Sequence, residues 1–443
     1  MRTPYPLRLL LFFWALAAPL HAQDAHRIWA RVHTHAGEVH EGFLRWDRNE
    51  ASWVDLLDGT KTLPEDAYDT WIAEQHGGER PVRAIQLRGY RVTWDEEDPD
   101  FPTRVASGIR FGHLAELVVA DEDSVDLVLK GGGRVSLSGG ATDLGPSLRE
   151  LIVERNGRTT ELEWEDVERV TFAAVPAGER ARSQRLYGTV QDDRGRSFTG
   201  FLAWDLDEAF TSDILDGRDD DGDEHDIPFG DIASIEAERR SAKVTLRSGR
   251  TLELSGSNDV GRGHRGVQIS DPGLGMIEVE WDALERVDFE PAPDGPAYDA
   301  FDGGAPLQGT VVTQTGEEIR GTLRWDMDET YTWELLDGRA EDDAFVVGVG
   351  RVGRIERGHS FKVELGRIAR IERGEAFGVR VVLVDGRELV MDDSNDVDWD
   401  NKGILITPAP SEDGGEPAQR YVSWEEFKEV RFGSAAASAG GPR

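Results

Sequence analysis

The chain has 443 residues, no cysteine, and a net charge of −36 from 50 basic and 86 acidic residues. The missing thiols exclude disulfides, thiolate catalysis, cysteine-based zinc sites and a lipid-modified N-terminal cysteine, so packing alone must hold the fold. The acidic field repels nucleic acid and anionic membranes and favours cations or basic partners.

Arg2 and Arg8 precede an apolar run over residues 9–18, and Ala22 offers a small residue at a cleavage point. This pattern predicts a signal peptide over 1–22 and a mature start at Gln23, hence a periplasmic or secreted protein that is not a lipoprotein. The run falls short of the roughly 20 residues that span a bilayer, and no later stretch approaches that length, so no membrane insertion is expected.

Self-similarity then dominates the chain. Three segments carry Val, a polar turn with Gly, and an alternating strand that ends Leu-x-Trp-Asp. The strand ends are Leu44/Trp46, Leu202/Trp204 and Leu323/Trp325, each followed at a distance by Leu-Asp-Gly at 57–59, 215–217 and 336–338. A second half follows each first half and ends in a Trp-led segment at 164–172, 281–289 and 424–432. The expected units are 27–172, 185–289 and 306–432. An insertion over about 68–104 lengthens the first, and a tail over 433–443 rich in Ala, Ser and Gly is expected to be disordered.

Apolar residues recur with period two, as in Ile319, Leu323 and Trp325, which places them on the buried face of a strand. No window shows a helical stripe, and the short Trp-led segments fit a single turn of 3₁₀ helix. Each half reads as five short strands in roughly 50–60 residues, the size of one small closed barrel. The fold class expected is therefore all-β: three tandem units, each of two small five-stranded barrels with short 3₁₀ turns.

At 316–326 the chain reads Gly-Glu-Glu-Ile-Arg-Gly-Thr-Leu-Arg-Trp-Asp, and similar residues recur at 195–205. This run resembles the first motif of the Sm-like small β-barrels, which share strand order and the 3₁₀ turn with SH3-like barrels. The resemblance implies a barrel. It does not imply RNA binding, because the basic-Gly pair of that family's last hairpin is absent here, where Phe229-Gly230-Asp231 and Trp281-Asp282 stand.

The recurring tryptophans share a face with Leu and Ile and read as core. His33 and His35 share a strand face, but Gln191 and Asp193 hold the equivalent places, so a metal reading is disfavoured. Two acidic loops remain, 219–226 and 396–401. In the second, Asp396, Asp398 and Asp400 alternate as at the start of a calcium loop, making calcium the one cofactor the sequence points to. Asn401 at the sixth place and Thr407 at the twelfth depart from that pattern. The insertion carries Trp71, Tyr90 and Trp94, the least repeat-like aromatics and the expected partner contact.

No Gly-x-Ser-x-Gly, His-Glu-x-x-His or phosphate-binding Gly loop is present, so no enzyme is expected. The reading is an exported, non-enzymatic binding or scaffold module whose partner is a protein or polysaccharide. Its rival is a calcium-assisted polysaccharide-binding module or envelope hydrolase.

Overall fold

The computed structural model describes residues 24–64, 82–87, 90–95, 103–139, 142–340, 359–374, 378–409 and 418–433, with backbone alone over 82–87 and 90–95. The chain is all-β as expected, with 54% strand and 6% helix, and among the described residues no helix reaches seven residues. The helices are three-residue 3₁₀ turns such as Phe229–Asp231 and Trp281–Ala283. No helix among the described residues is long and apolar enough to cross a membrane.

The stretch 187–289 shows the construction. Its first half contributes strands Tyr187–Asp192, Ser197–Trp204, Ile214–Arg218, Glu224–Pro228 and Ile232–Ala237. Its second contributes Ser241–Leu246, Thr251–Ser255, Val267–Asp271, Gly275–Val279 and Leu284–Phe289. The second strand of the first half pairs with the third strand of the second half, Leu202 opposite Ile269. The reciprocal contact joins Arg218 to Ser255. The two fifth strands lie side by side at the centre, Ile235 opposite Val287. Crossing the sheet therefore gives a palindrome about that central pair. Each half lends its third and fourth strands to the other. The same pairing order runs through 29–173 and 308–432.

This corrects the expectation of two closed barrels per unit, because the antiparallel sheets do not close into barrels. The connections give the reason. Only residues 238–240 separate Ile232–Ala237 from Ser241–Leu246, and only 122 and 123 separate Leu114–Asp121 from Ser124–Leu129. A chain that reverses within two or three residues pairs with the strand it has just left. The second half's first strand is thereby committed to the first half's fifth, and the middle hairpins cover the neighbouring half instead of their own.

The repeated glycine of the second strand marks the crossing. A Cβ on Gly42, Gly200 or Gly321 would stand 2.3, 2.6 or 2.3 Å from the backbone oxygen of Glu154, Ser270 or Thr407 on the lent strand. Only a residue without a side chain lets those backbones approach so closely.

The ladders are joined. Gly275–Val279 pairs with Ser360–Glu364, Ile277 opposite Phe361, so that one 20-stranded sheet covers 187–432. The 29–173 ladder docks on both others: Leu56, Met276 and Leu335, one from each ladder, meet in a single apolar cluster. Tyr298 donates its hydroxyl to the Leu114 carbonyl at 2.7 Å and lies 4.6 Å from the Trp53 ring. The segment entering the third ladder is thus anchored in the first.

Candidate functional site

The loop that follows the long second strand reads Trp-Asp-x-x-Glu in every ladder: 46–50, 204–208 and 325–329. It turns through two consecutive left-handed residues, Asp47 and Arg48 (φ 41° and 76°), Asp205 and Leu206 (48° and 59°), and Asp326 and Met327 (46° and 64°). Such conformations are strained for residues other than Gly and persist only where the surroundings impose them. Here a loop of the second half imposes them. Asp205 accepts the Arg265 backbone N–H at 2.5 Å and the Asn258 amide at 2.6 Å. Asp47 accepts the Arg149 N–H at 2.7 Å and the Thr142 hydroxyl at 2.6 Å. Asp326 accepts from the Lys402 N–H and from Asn395 at 2.5 Å.

The residue after Thr142, Asn258 and Asn395 is an aspartate in each case. Its carbonyl takes the core indole N–H: Trp46 to Asp143 at 2.9 Å, Trp204 to Asp259 at 3.0 Å, Trp325 to Asp396 at 3.0 Å. Its carboxylate takes a backbone N–H of the Leu-Asp-Gly strand: Asp58 to Asp143 at 2.7 Å, Asp216 to Asp259 at 2.9 Å, Asp337 to Asp396 at 2.7 Å.

The glutamate of the turn completes three equivalent sets: Asp47, Glu50, Asp143; Asp205, Glu208, Asp259; and Asp326, Glu329, Asp396. One oxygen of each glutamate (Oε2 of Glu50, Glu208 and Glu329) is buried without a hydrogen-bond partner. In the first set one oxygen from each residue lies within 4.8 Å of the others, and all three residues are buried.

The electrostatics follow from that burial. Desolvation, then the charges of Asp143, Asp55 and Asp47, push the Glu50 carboxyl well above its ordinary range. Asp143 is pushed up by burial and by Asp58. Burial and the neighbouring Asp259 and Asp205 raise Glu208 to about 8, and burial is the leading cause that raises Asp259 to about 7. Asp326, Glu329 and Asp396 all move well above the ordinary range, burial leading in each. Every donor is a carboxylate oxygen, the chemistry of a shared proton or a hard cation.

The third set opens on a cleft of about 630 Å³ between the first and third ladders, lined also by Lys61, Arg104, Asp58 and Lys362. Lys61 crosses this boundary to Glu334 at 2.5 Å and to the Asp328 carbonyl at 2.8 Å.

Of the loop residues singled out by sequence, Asp396 belongs to the third set. Asp398 is buried and accepts the Asp400 N–H at 2.9 Å, while Asp400 is exposed. Among the described residues, the tight grouping of three ligand atoms occurs at Asp47, Glu50 and Asp143 and not within 396–400. Loop 219–226 is a closed turn: Asp219 accepts the N–H groups of Asp221 and Asp223 at 3.1 and 3.0 Å and bonds His225 at 2.8 Å. Tyr90 and Trp94 lie on strand Tyr90–Asp95, paired with Val82–Leu87, and Trp71 lies outside the described residues. Trp46, Trp204, Trp325, Trp164, Trp281 and Trp424 are all buried.

Reading by contiguous loops misses the carboxylate sets because each is split between two halves. The usable signal is the thrice-repeated Trp-Asp-x-x-Glu together with Ser-Asn-Asp-Val, identical at 257–260 and 394–397. No protein-family model, curated protein or solved structure matches the chain.

Proposed function

We propose that the chain is an exported, non-enzymatic scaffold, periplasmic or secreted, that presents loops and sheet edges to a binding partner. The observation that carries this reading is the cross-bracing of the three ladders by buried ion pairs. Arg185 reaches Asp55 at 3.1 Å, Arg110 reaches Glu364 at 3.3 Å, and Lys61 reaches Glu334 at 2.5 Å, with every one of these side chains at most 11% exposed. Opening such a pair strands a charge away from water, so the frame resists hinge motion. A braced frame suits presentation better than closure of a lid over a substrate.

We infer further that each half is an SH3-like or Sm-like strand set whose middle hairpin completes its neighbour. Export rests on the 1–22 segment, and the net charge of −36 favours a basic partner. A polysaccharide-binding reading is supported by Trp399, which is 69% exposed and next in sequence to Asp400, a residue that lines the cleft.

The test is capture of envelope components on the immobilised protein, identified by mass spectrometry, beside a glycan array. A stoichiometric protein partner that high salt releases, with a blank array, is expected. Reproducible glycan capture that Trp399→Ala abolishes would favour the rival, and turnover of an envelope polymer would contradict the non-enzymatic reading.

A further inference from the structure

We propose that Asp47, Glu50 and Asp143 bind one calcium ion, and that Asp205, Glu208, Asp259 and Asp326, Glu329, Asp396 are weaker copies of that site. The scaffold reading does not require a cation, so this is an independent claim.

The orphaned oxygen points to a missing partner. Glu50 is 5% exposed, its Oε2 has no donor, and one of its carboxylate oxygens lies within 4.8 Å of an oxygen of Asp47 and of Asp143. A buried polar atom without a partner is rare in a native protein and asks for an explanation. The same atom of Glu208 and of Glu329 is orphaned in the same way, so accident would have to strike three times.

The spacing of the oxygens suits calcium. Calcium binds oxygen at about 2.3–2.6 Å, so two oxygens on one ion stand no more than about 5 Å apart. The oxygens of Asp47, Glu50 and Asp143 lie within 4.8 Å of one another. Magnesium prefers a tighter octahedron at about 2.0–2.1 Å and gives up its waters reluctantly, which suits this buried set less well. The donors include no imidazole or thiolate, so borderline and soft metals have no advantage.

The charge also favours a divalent cation. Arg149 holds Asp47 at 2.7 Å, and Arg265 holds Asp205 at 3.2 Å. Both guanidiniums are shared with Asp207, so neither set is neutralised by its arginine alone, and a divalent cation would supply the missing positive charge once the carboxylates ionise. Buried charge is tolerated only when it is paired in this way. The indole bond from Trp46 and the N–H of Asp58 pre-position Asp143, so the cage does not have to be built on binding.

The second and third sets share the hydrogen-bond frame but not the tight spacing, so their affinity should be lower. In the third, Lys61 lies 4.0 Å from Glu329 and competes with a cation.

Calorimetric titration and thermal melts of the chelator-treated full chain test the proposal, with calcium chloride as the probe and magnesium chloride as the control. Calcium at about 100 times its dissociation constant should raise the melting temperature by about 3 °C, and magnesium by much less. Glu50→Gln, which keeps the shape of the side chain, should abolish the tightest binding event. Asp398→Asn with Asp400→Asn should leave that event in place. Should Glu50→Gln fail to fold, Asp143→Asn is read by titration in its stead. Absence of calcium heat, an equal response to magnesium, or an unchanged tight event in Glu50→Gln overturns the site. Weaker events that survive both Glu208→Gln and Glu329→Gln overturn the copies.

Discussion

Trp325 donates its indole N–H to the backbone carbonyl of Asp396 at 3.0 Å, tying the centre of a hydrophobic core to a buried carboxylate. Trp325 is fully buried, and its bond crosses from the first half of its ladder to the second. Core packing and the placement of the acidic set are therefore one construction.

Trp325→Phe should expose that dependence. It keeps most of the apolar volume but removes one of the two donors to the Asp396 carbonyl, which retains the Asn401 amide at 3.0 Å, at a cost of about 1 kcal/mol. Denaturant unfolding measures the loss. A change near zero would mean that the Asn401 bond suffices for the carbonyl and that the indole bond does not set the loop.

Gly200 tests the exchange of hairpins. Its Cβ would stand 2.6 Å from the Ser270 backbone oxygen, so Gly200→Ala forces the lent strand outward. The expected penalty is about 1–3 kcal/mol, the range for overpacking. Ser197→Ala, at an exposed place on the same strand, should stay within about 0.5 kcal/mol. Equal melting temperatures for the two variants would argue that the strands do not cross as described.

Much of this was open to sequence reasoning, and the part that was not has an identifiable cause. Period-two alternation places Leu202 and Trp204 in the core, and the turn residues fix the hairpins. Alternation says which face is buried, though not which strand covers it. The partner of Ser197–Trp204 is decided by the short 238–240 connection acting on a strand far along the chain. The acidic sets fail to show for the same reason: Glu208 and Asp259 meet only once the second half folds over the first. A contiguous motif such as 396–400 is easy to see, yet only Asp396 of its three carboxylates enters a set.

The bracing should be felt at Arg185. Arg185→Met would leave Asp55 buried beside the Ala51 and Ser52 N–H groups it caps, with its cation gone. Removing one partner of a buried pair costs about 3–5 kcal/mol. Urea unfolding that stays cooperative with a lower midpoint is expected, whereas an unchanged midpoint would mean that the pair does not brace the frame.

Glu364 gives the pH dependence. Burial alone would raise its carboxyl, but the Arg110 charge and the His113 hydrogen bond more than offset this and lower it from 4.5 to about 2. A depressed acid stabilises the fold above its unfolded value, and that stability is lost as pH falls through the folded one. The midpoint of urea unfolding should therefore drop between about pH 4.5 and 2, and Glu364→Gln should flatten this part of the profile. A variant with the same acid limb as wild type would show that other carboxylates govern it.

The most direct test of the carboxylate sets as cation sites is terbium luminescence excited through tryptophan. Trp46, Trp204 and Trp325 each bond to the aspartate of a set, so a terbium ion standing in for calcium would lie beside an indole. Emission should rise on adding terbium to the full chain, fall as calcium displaces it, and largely disappear in the combined Glu50→Gln, Glu208→Gln, Glu329→Gln variant. Emission that is absent in wild type, or equally strong in the triple variant, would contradict the account.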